Sequence, residues 1–352
     1  MKKVALFALA ILLVFSATVR SQEISRVGTS VGQFLKLGVG ARAAALGEAY
    51  VALPGNPAAL YWNPAGIAAI DKLSLMISHA TLYSGLGVTH SFLGLTYPLG
   101  AGNTIGVSVT YLSTDDIEIT TVDYPQGTGT YYAARDYCVG VSFGRFVTDR
   151  LSLGVTLKFV REGIYRETAQ TLAADFGSVL NTGLLGIKLG MCLSNFGGNM
   201  KLSGEDLRVS QDRYRNNPAE HEVNADLTTE AWPLPMTFRM GISTDLVGTG
   251  GQLVNSESNR LTLLIDTFDP NDALLRSNMG IEYEWNNILA LRGGYHGLPV
   301  EKDNFKSYDT ASYTFGGGLH YNLGWTDFQL DYALTNFQIL GDTHQFTLGL
   351  KF

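Results

Sequence analysis

Period-two alternation constrains this chain more than any other feature. From about residue 73 to the end, apolar side chains fall at every second position, with small or polar ones between them. In Leu151-Ser152-Leu153-Gly154-Val155-Thr156-Leu157-Lys158-Phe159 the odd positions are apolar, and the same pattern runs through residues 187–193, 238–243 and 346–352. Such a repeat belongs to extended strands, whose successive side chains point to opposite faces. A soluble sandwich alternates as well, so the number, length and polarity of the segments must decide. About fourteen segments of ~9–12 residues can be read, the length with which a tilted strand crosses a bilayer. They begin near Leu73, Val88, Asn103, Asp136, Arg150, Gln170, Leu184, Met236, Arg260, Arg276, Ile288, Ser312, Trp325 and His344.

The connections alternate in length. Tight turns such as Leu99-Gly100-Ala101-Gly102, Asn181-Thr182-Gly183, Asn286-Asn287 and Gly324 follow the even segments, and long polar links at 114–135, 195–235 and 298–311 follow the odd ones. Short periplasmic turns against long external loops are the rule for outer-membrane barrels; residues 247–258 make a longer link on the short side. The face opposite the apolar one carries Lys158, Asp175, Lys188, Arg239, Asp266, Glu282, Glu284, Arg292, His320, Asp327 and Asp331. A soluble core cannot hold that set without many paired ions, whereas a wet or plugged lumen can. Tyr97, Tyr111, Phe159, Trp285 and Trp325 near segment ends suit an interfacial girdle. The expected fold is an all-β, 14-stranded antiparallel transmembrane barrel, residues 72–352, whose last strand pairs with the first and ends at Phe352.

Composition agrees. Charged residues are 16% of the 352, glycines number 40 and aromatics reach 11%. No run beyond the N-terminus has the ~20 apolar residues of a spanning helix. Lys2 and Lys3 precede an apolar run at 4–15 and small residues, which reads as a secretory signal peptide over 1–21 cleaved near Ser21-Gln22. With Lys2, Lys3 and Arg20 removed, 22 basic residues face 32 acidic ones, a net charge of −10 that disfavours nucleic acid. The first cysteine is Cys138, so a lipid anchor is not expected. Cys138 and Cys192 lie in non-adjacent segments, either as a disulfide or, preferably, as two small lumen residues.

Residues 28–71 break the period, within a segment of 22–71 ahead of the barrel. Residues 41–50 are Ala-rich and read as a short helix, and Asn56-Pro57 and Asn63-Pro64 impose turns. A segment this short ahead of a barrel is suited to be a plug. The stretches Gly38-Val39-Gly40-Ala41-Arg42-Ala43-Ala44-Ala45-Leu46-Gly47-Glu48-Ala49-Tyr50-Val51-Ala52 and Ala59-Leu60-Tyr61-Trp62-Asn63-Pro64-Ala65-Gly66-Ile67 resemble the start of the PorV/PorQ family, related to FadL-type barrels. Arg42, Asn56, Trp62, Asn63, Pro64 and Ala65 form the plug motif, with Asn63, Pro64 and Ala65 matching the family's Asn-Pro-Ala element. The resemblance implies a plugged barrel in the outer membrane, in contact with its lipid, and a role in type IX secretion with secreted cargo or machinery as partners. It equally admits a FadL-like passive transporter of long-chain fatty acids or other hydrophobic molecules. Loops 114–135 and 195–235, with Tyr124, Tyr131, Tyr132 and Tyr214, would be the docking surface in the first case. Gly85, Gly87 and Gly94 would mark a weakened wall in the second.

Enzymatic signatures do not hold up. Gly38–Gly40 lacks the βαβ unit of a dinucleotide site. Gly140-Val141-Ser142-Phe143-Gly144 lies in a strand with no helix after it, which a nucleophile elbow requires. His79, His90, His221, His296, His320 and His344 form no zinc spacing. Glu282 and Glu284, about 7 Å apart on one face, read as lumen carboxylates paired with Arg239 or Arg292. Asp266, Asp269 and Asp272 read as a solvated acidic loop rather than a calcium site. No catalytic group, metal or cofactor is expected, and Lys158, Asp175, Lys188, Arg239, Glu282, Glu284, Arg292 and Asp331 are expected to form lumen ion pairs.

Overall fold

A computed structural model describes residues 27–184, 186–211, 223–249, 251, 253–300 and 312–352. The expected signal peptide and its cleavage site, together with Tyr214 and His221, lie outside them. Among the described residues, fourteen strands form one closed antiparallel ring. They are β1 Ser74–Leu82, β2 Val88–Gly100, β3 Asn103–Thr114, β4 Arg135–Thr148, β5 Leu151–Ile164, β6 Glu167–Asn181 and β7 Lys188–Gly197. The ring continues with β8 Thr237–Gly248, β9 Asn259–Pro270, β10 Arg276–Trp285, β11 Leu289–Pro299, β12 Ser312–Asn322, β13 Asp327–Asn336 and β14 Asp342–Lys351. Each pairs with its neighbours in sequence, and β14 closes on β1 from Lys351 opposite Ser74 to His344 opposite Thr81. The Phe352 N–H extends this seam, donating to the Leu73 carbonyl at 2.9 Å.

The wall is polar inside and apolar outside. On β4, Val139, Val141 and Phe143 are exposed while Cys138 and Ser142 are buried; on β10, Ile281, Tyr283 and Trp285 face out while Glu282 and Glu284 are buried. Only a hydrocarbon surround makes that inversion stable, and closure of the ladder leaves no unpaired strand edge in it. The chain thus has the wall of an outer-membrane β-barrel. No helix among the described residues is long and apolar enough to cross a membrane.

Two strand starts differ from expectation. The sixth begins at Glu167 rather than Gln170, because Tyr165, with φ 56°, and Arg166 turn the chain in two residues. The seventh begins at Lys188 rather than Leu184, because Thr182 N–H bonds Ile187 O and Ile187 N–H bonds Leu184 O, holding that stretch as a turn. At the long-loop end, residues 198–236 carry two small hairpins, Asn199–Lys201 with Ala231–Pro233 and Arg208–Gln211 with Val223–Asp226. Ile117–Glu118 pairs with Tyr131–Tyr132 in the loop between β3 and β4.

The described residues ahead of β1 occupy the lumen in short pieces: Gln33–Lys36, α1 Ala41–Ala45, α2 Ala59–Trp62 and Pro64–Ala69. The apolar core belongs to them: Val39, Leu46, Tyr50, Leu60, Trp62 and Ile67 are fully buried and meet Met76, Phe92 and Leu264 of the wall. The helix expected over 41–50 ends at Ala45. Gly47 and Glu48 both take the left-handed region, with φ 65° and 64°, and a second helical turn cannot form there.

Candidate functional site

The plug motif is a set of contacts to the wall. Asn63 Nδ2 donates to Val51 O at 2.8 Å and to Ser178 O of β6 at 3.0 Å, and its Oδ1 accepts from Ala65 N–H at 3.2 Å. One side chain therefore fastens a plug turn, caps the Pro64–Ala69 turn and reaches the barrel. Pro64 and Ala65 sit in a trough made by Gly144, Gly154 and Gly177, which are register neighbours on β4, β5 and β6. A Cβ at Gly154 would overlap the Pro64 and Ala65 backbone. Trp62 Nε1 donates to Val39 O at 2.9 Å, and Asn56 Oδ1 accepts from Ala58 N–H at 2.9 Å, so both brace the plug internally.

Around α1 the contacts are equally direct. Ala41 N–H donates to Thr347 Oγ1 at 2.8 Å, and Thr314 Oγ1 donates to Ala45 O at 3.0 Å. Gly47 lies against the Met279 and Tyr295 backbone, where no side chain fits. The following turn is held by Asp266 of β9, whose Oδ2 accepts from Tyr50 and Val51 N–H at 2.6 and 2.8 Å. Asp266 is thus a lumen anchor, and Asp272 clamps the plug's beginning: it accepts from Ser30 Oγ, from Gln33 Nε2 at 2.7 Å and from Lys36 Nζ at 2.9 Å. These corrections displace the solvated acidic loop expected for Asp266 and Asp272. Their cause is the plug, whose exposed N–H groups and Lys36 need acceptors from the wall. Among the described residues no cluster could hold a metal.

Of the eight expected ion-pair residues, the structure joins Glu282, Glu284, Arg292 and Asp331 into one lattice with Arg42 and Arg260. Arg42 reaches Glu282 at 2.6 Å and Glu284 at 3.8 Å; Arg292 bridges Glu282 at 2.6 Å and Asp331 at 2.7 Å; Arg260 pairs with Glu284 at 2.8 Å. Glu282 and Arg292 are directly opposite on β10 and β11, and Arg292 crosses the bare Gly318 of β12 to reach Asp331 on β13. Three arginines thus face three buried carboxylates, the balance a buried charge set needs, with Arg260 at its half-exposed edge. Lys158 pairs separately with Asp175 at 2.6 Å, and Lys188 stands 4.0 Å from Asp245 near the short-turn end.

Arg239 does not pair with Glu282 or Glu284. It lies on β8, two strands from them, and its guanidinium stacks over Tyr61, Trp62 and Phe268 at 5.0–5.5 Å. Cys138 and Cys192 are free and buried. Ser142 spends its hydroxyl on Thr156 Oγ1 at 2.7 Å. Sequence reasoning passed over Asp272 as a clamp, Arg260 in the lattice, Tyr50 and Thr347, and it placed Asp266 on the inward face without its plug partners. Inward parity could have flagged Thr347.

A protein-family model described as type IX secretion system protein PorV matches residues 20–184, which span the plug and β1–β6. Over those residues, a little under half of the chain, it is similar to the PorV family. Every plug residue named above falls inside the stretch that the family model matches, whereas Asp266, Glu282, Arg292 and Asp331 lie beyond it. Among solved structures, the toluene transporter TodX of Pseudomonas putida is similar at 14% identity over 89% of this chain and 96% of TodX, with a TM-score of 0.55. A FadL homologue of Pseudomonas aeruginosa follows at 12% over 89% and 98%, TM-score 0.52. The Ralstonia pickettii toluene transporter TbuX gives 13% over 89% and 97%, TM-score 0.52. At these identities the likeness is one of fold, a FadL-like barrel. No curated protein matches the chain.

Proposed function

We propose that this protein is an accessory barrel of type IX-like protein secretion, exported by residues 1–21 as a signal peptide and fastened in the outer membrane. The observation that carries the reading is the fastened plug within the stretch that the PorV family model matches. Asn63, Asp266, Thr347 and the Arg42 pair tie it to strands all round the ring. A barrel closed in this way suits a platform better than a pore, and its outer surface offers residues 115–134 and 198–236 to cargo or machinery. Tyr124 and Tyr131 are exposed there and would serve as anchors. The test is deletion of the gene in its native host with surface proteins followed by cell fractionation. Retention of cargo in the periplasm is expected; normal arrival at the surface overturns the reading.

A second reading, passive transport of long-chain fatty acids or similar hydrophobic molecules, draws on the fold shared with TodX and TbuX. It is also favoured by a bulge in β7, where Asn195 takes φ 61° and the register with β6 shifts. Against it stands the interior, where the buried wall side chains are largely hydroxyls, amides and ions. Oleate uptake into proteoliposomes, equal with and without the protein, would dismiss it.

A further inference from the structure

The plug does not fill the lumen evenly. Below α1, at the short-turn end, it leaves a cavity of about 610 Å³ between itself and the wall. The plug lines it with Arg42, Tyr50 and residues 55–58, and the wall lines it with strand ends of β1 and β12–β14 and the turn Asn286-Asn287-Ile288. A space of that volume falls in the range of small-molecule sites. A pocket at the opposite end, beside Tyr83, His296 and Phe337, measures about 40 Å³. With the short turns on the periplasmic side, the larger cavity faces the periplasm.

The chemistry of the lining is specific. Its charges are already matched: Arg42 by Glu282, Asp331 by Arg292, Lys351 by Asp71 at 2.7 Å and Asp327 by Lys72 at 3.6 Å. An ion entering would meet no uncompensated partner. The unpartnered polar atoms of the lining residues Tyr50 and His320 are neutral ones, with almost no accessible area of their own. Tyr50, only 1% exposed, has a hydroxyl with no hydrogen-bond partner, and His320 Nε2 has none either. Buried polar atoms in that state call for a ligand or water. Amide side chains of Asn56, Asn286 and Asn287 border the same space, interleaved with Met76 and Ile288. Neutral hydrogen-bonding edges beside apolar surface complement a molecule with hydroxyl edges and C–H faces.

We infer that this cavity is a periplasmic binding site for a neutral, hydroxyl-rich ligand of sugar type. Two sources share that chemistry, free monosaccharides and the glycan of the cell wall. The test uses the full chain purified in lauryldimethylamine oxide, a detergent without a sugar headgroup. Saturation-transfer NMR with N-acetylglucosamine and glucose tests the first source, and co-sedimentation with purified sacculi tests the second. Saturable binding in either arm is expected. Tyr50→Phe keeps the ring and removes one hydrogen bond, so it should weaken binding about five- to tenfold. His320→Gln should weaken it comparably, and serves if the first variant does not fold, as judged by heat-modifiable gel mobility. Absence of saturable binding in both arms, which is what a merely water-filled space would give, overturns the inference. So does unchanged binding in both variants, or equal competition by inorganic phosphate.

Discussion

Asn63 concentrates more of the structure on one side chain than any other plug residue. Its amide donates twice, to Val51 and Ser178 carbonyls, and its carbonyl caps Ala65. Alanine would leave the Val51 carbonyl and the Ala65 N–H without this partner, at roughly 1–3 kcal/mol each before relaxation, and would cut the tie to Ser178 of the wall. Aspartate is closer in shape but worse in chemistry, since it replaces the donating amide with a carboxylate facing two carbonyl oxygens. The expected order of plug stability is therefore wild type above Asn63→Ala, and Asn63→Ala above Asn63→Asp. Limited proteolysis of the purified barrel, followed at the plug, measures this order. An aspartate variant as protected as wild type would contradict the donor role. At the same scale, Gly154→Val would drive a side chain into Pro64 and Ala65. The closed wall should persist, with heat-modifiable mobility kept, while the plug becomes protease-sensitive.

Among elements, the plug's first segment is clamped by the carboxyl of Asp272. Burial alone would raise the pKa of Asp272, but hydrogen bonds from Ser30, Gln33 and Lys36 outweigh it and leave the carboxyl below its ordinary value. A group depressed on docking contributes stability above its undocked pKa, and that contribution disappears as pH falls through the docked value. The segment should stay docked through neutral pH and down past the usual carboxylate range near ~4, then release under stronger acid. Asp272→Asn should remove that acid-dependent step, and fluorescence of a probe on a cysteine placed at Val27, an exposed position, reads it. The strands were legible in the chain because their signal is local: parity, segment length and turn residues at each end. The plug's outline was legible too, from its loss of parity and its Asn-Pro pairs. Its partners were not. Whether Asp266 meets solvent or two N–H groups depends on a turn 216 residues earlier in the chain. Arg239 likewise chose Tyr61 and Trp62 because the plug puts rings beside it, and no pattern along β8 carries that information.

At the scale of the whole molecule, the wall and its contents are held by different forces. The wall is a closed ladder whose edges are all used, so it does not depend on what lies inside. The plug depends on the wall's inward chemistry, and the charge lattice is the part that crosses between them, through Arg42. Removing Arg42 leaves Arg292 and Arg260 against Glu282, Glu284 and Asp331, a buried set with one negative charge uncompensated. Breaking a buried pair on one side costs about 3–5 kcal/mol, mostly from the charge left behind. Because β10, β11 and β13 are locked in the ladder, that cost falls on docking of the plug. Wild-type protein in planar bilayers should therefore be almost silent, and Arg42→Ala should show intermittent openings with unchanged heat-modifiable mobility. Arg42→Lys should be intermediate, since an ammonium restores the charge but not the two-point contact that Nε and Nη2 make with Glu282. Glu282→Gln with Arg42→Met would remove one charge of each sign and should be quieter than Arg42→Ala alone. If the double variant conducts as freely as the single one, the plug is held by its backbone contacts and the lattice serves the wall instead.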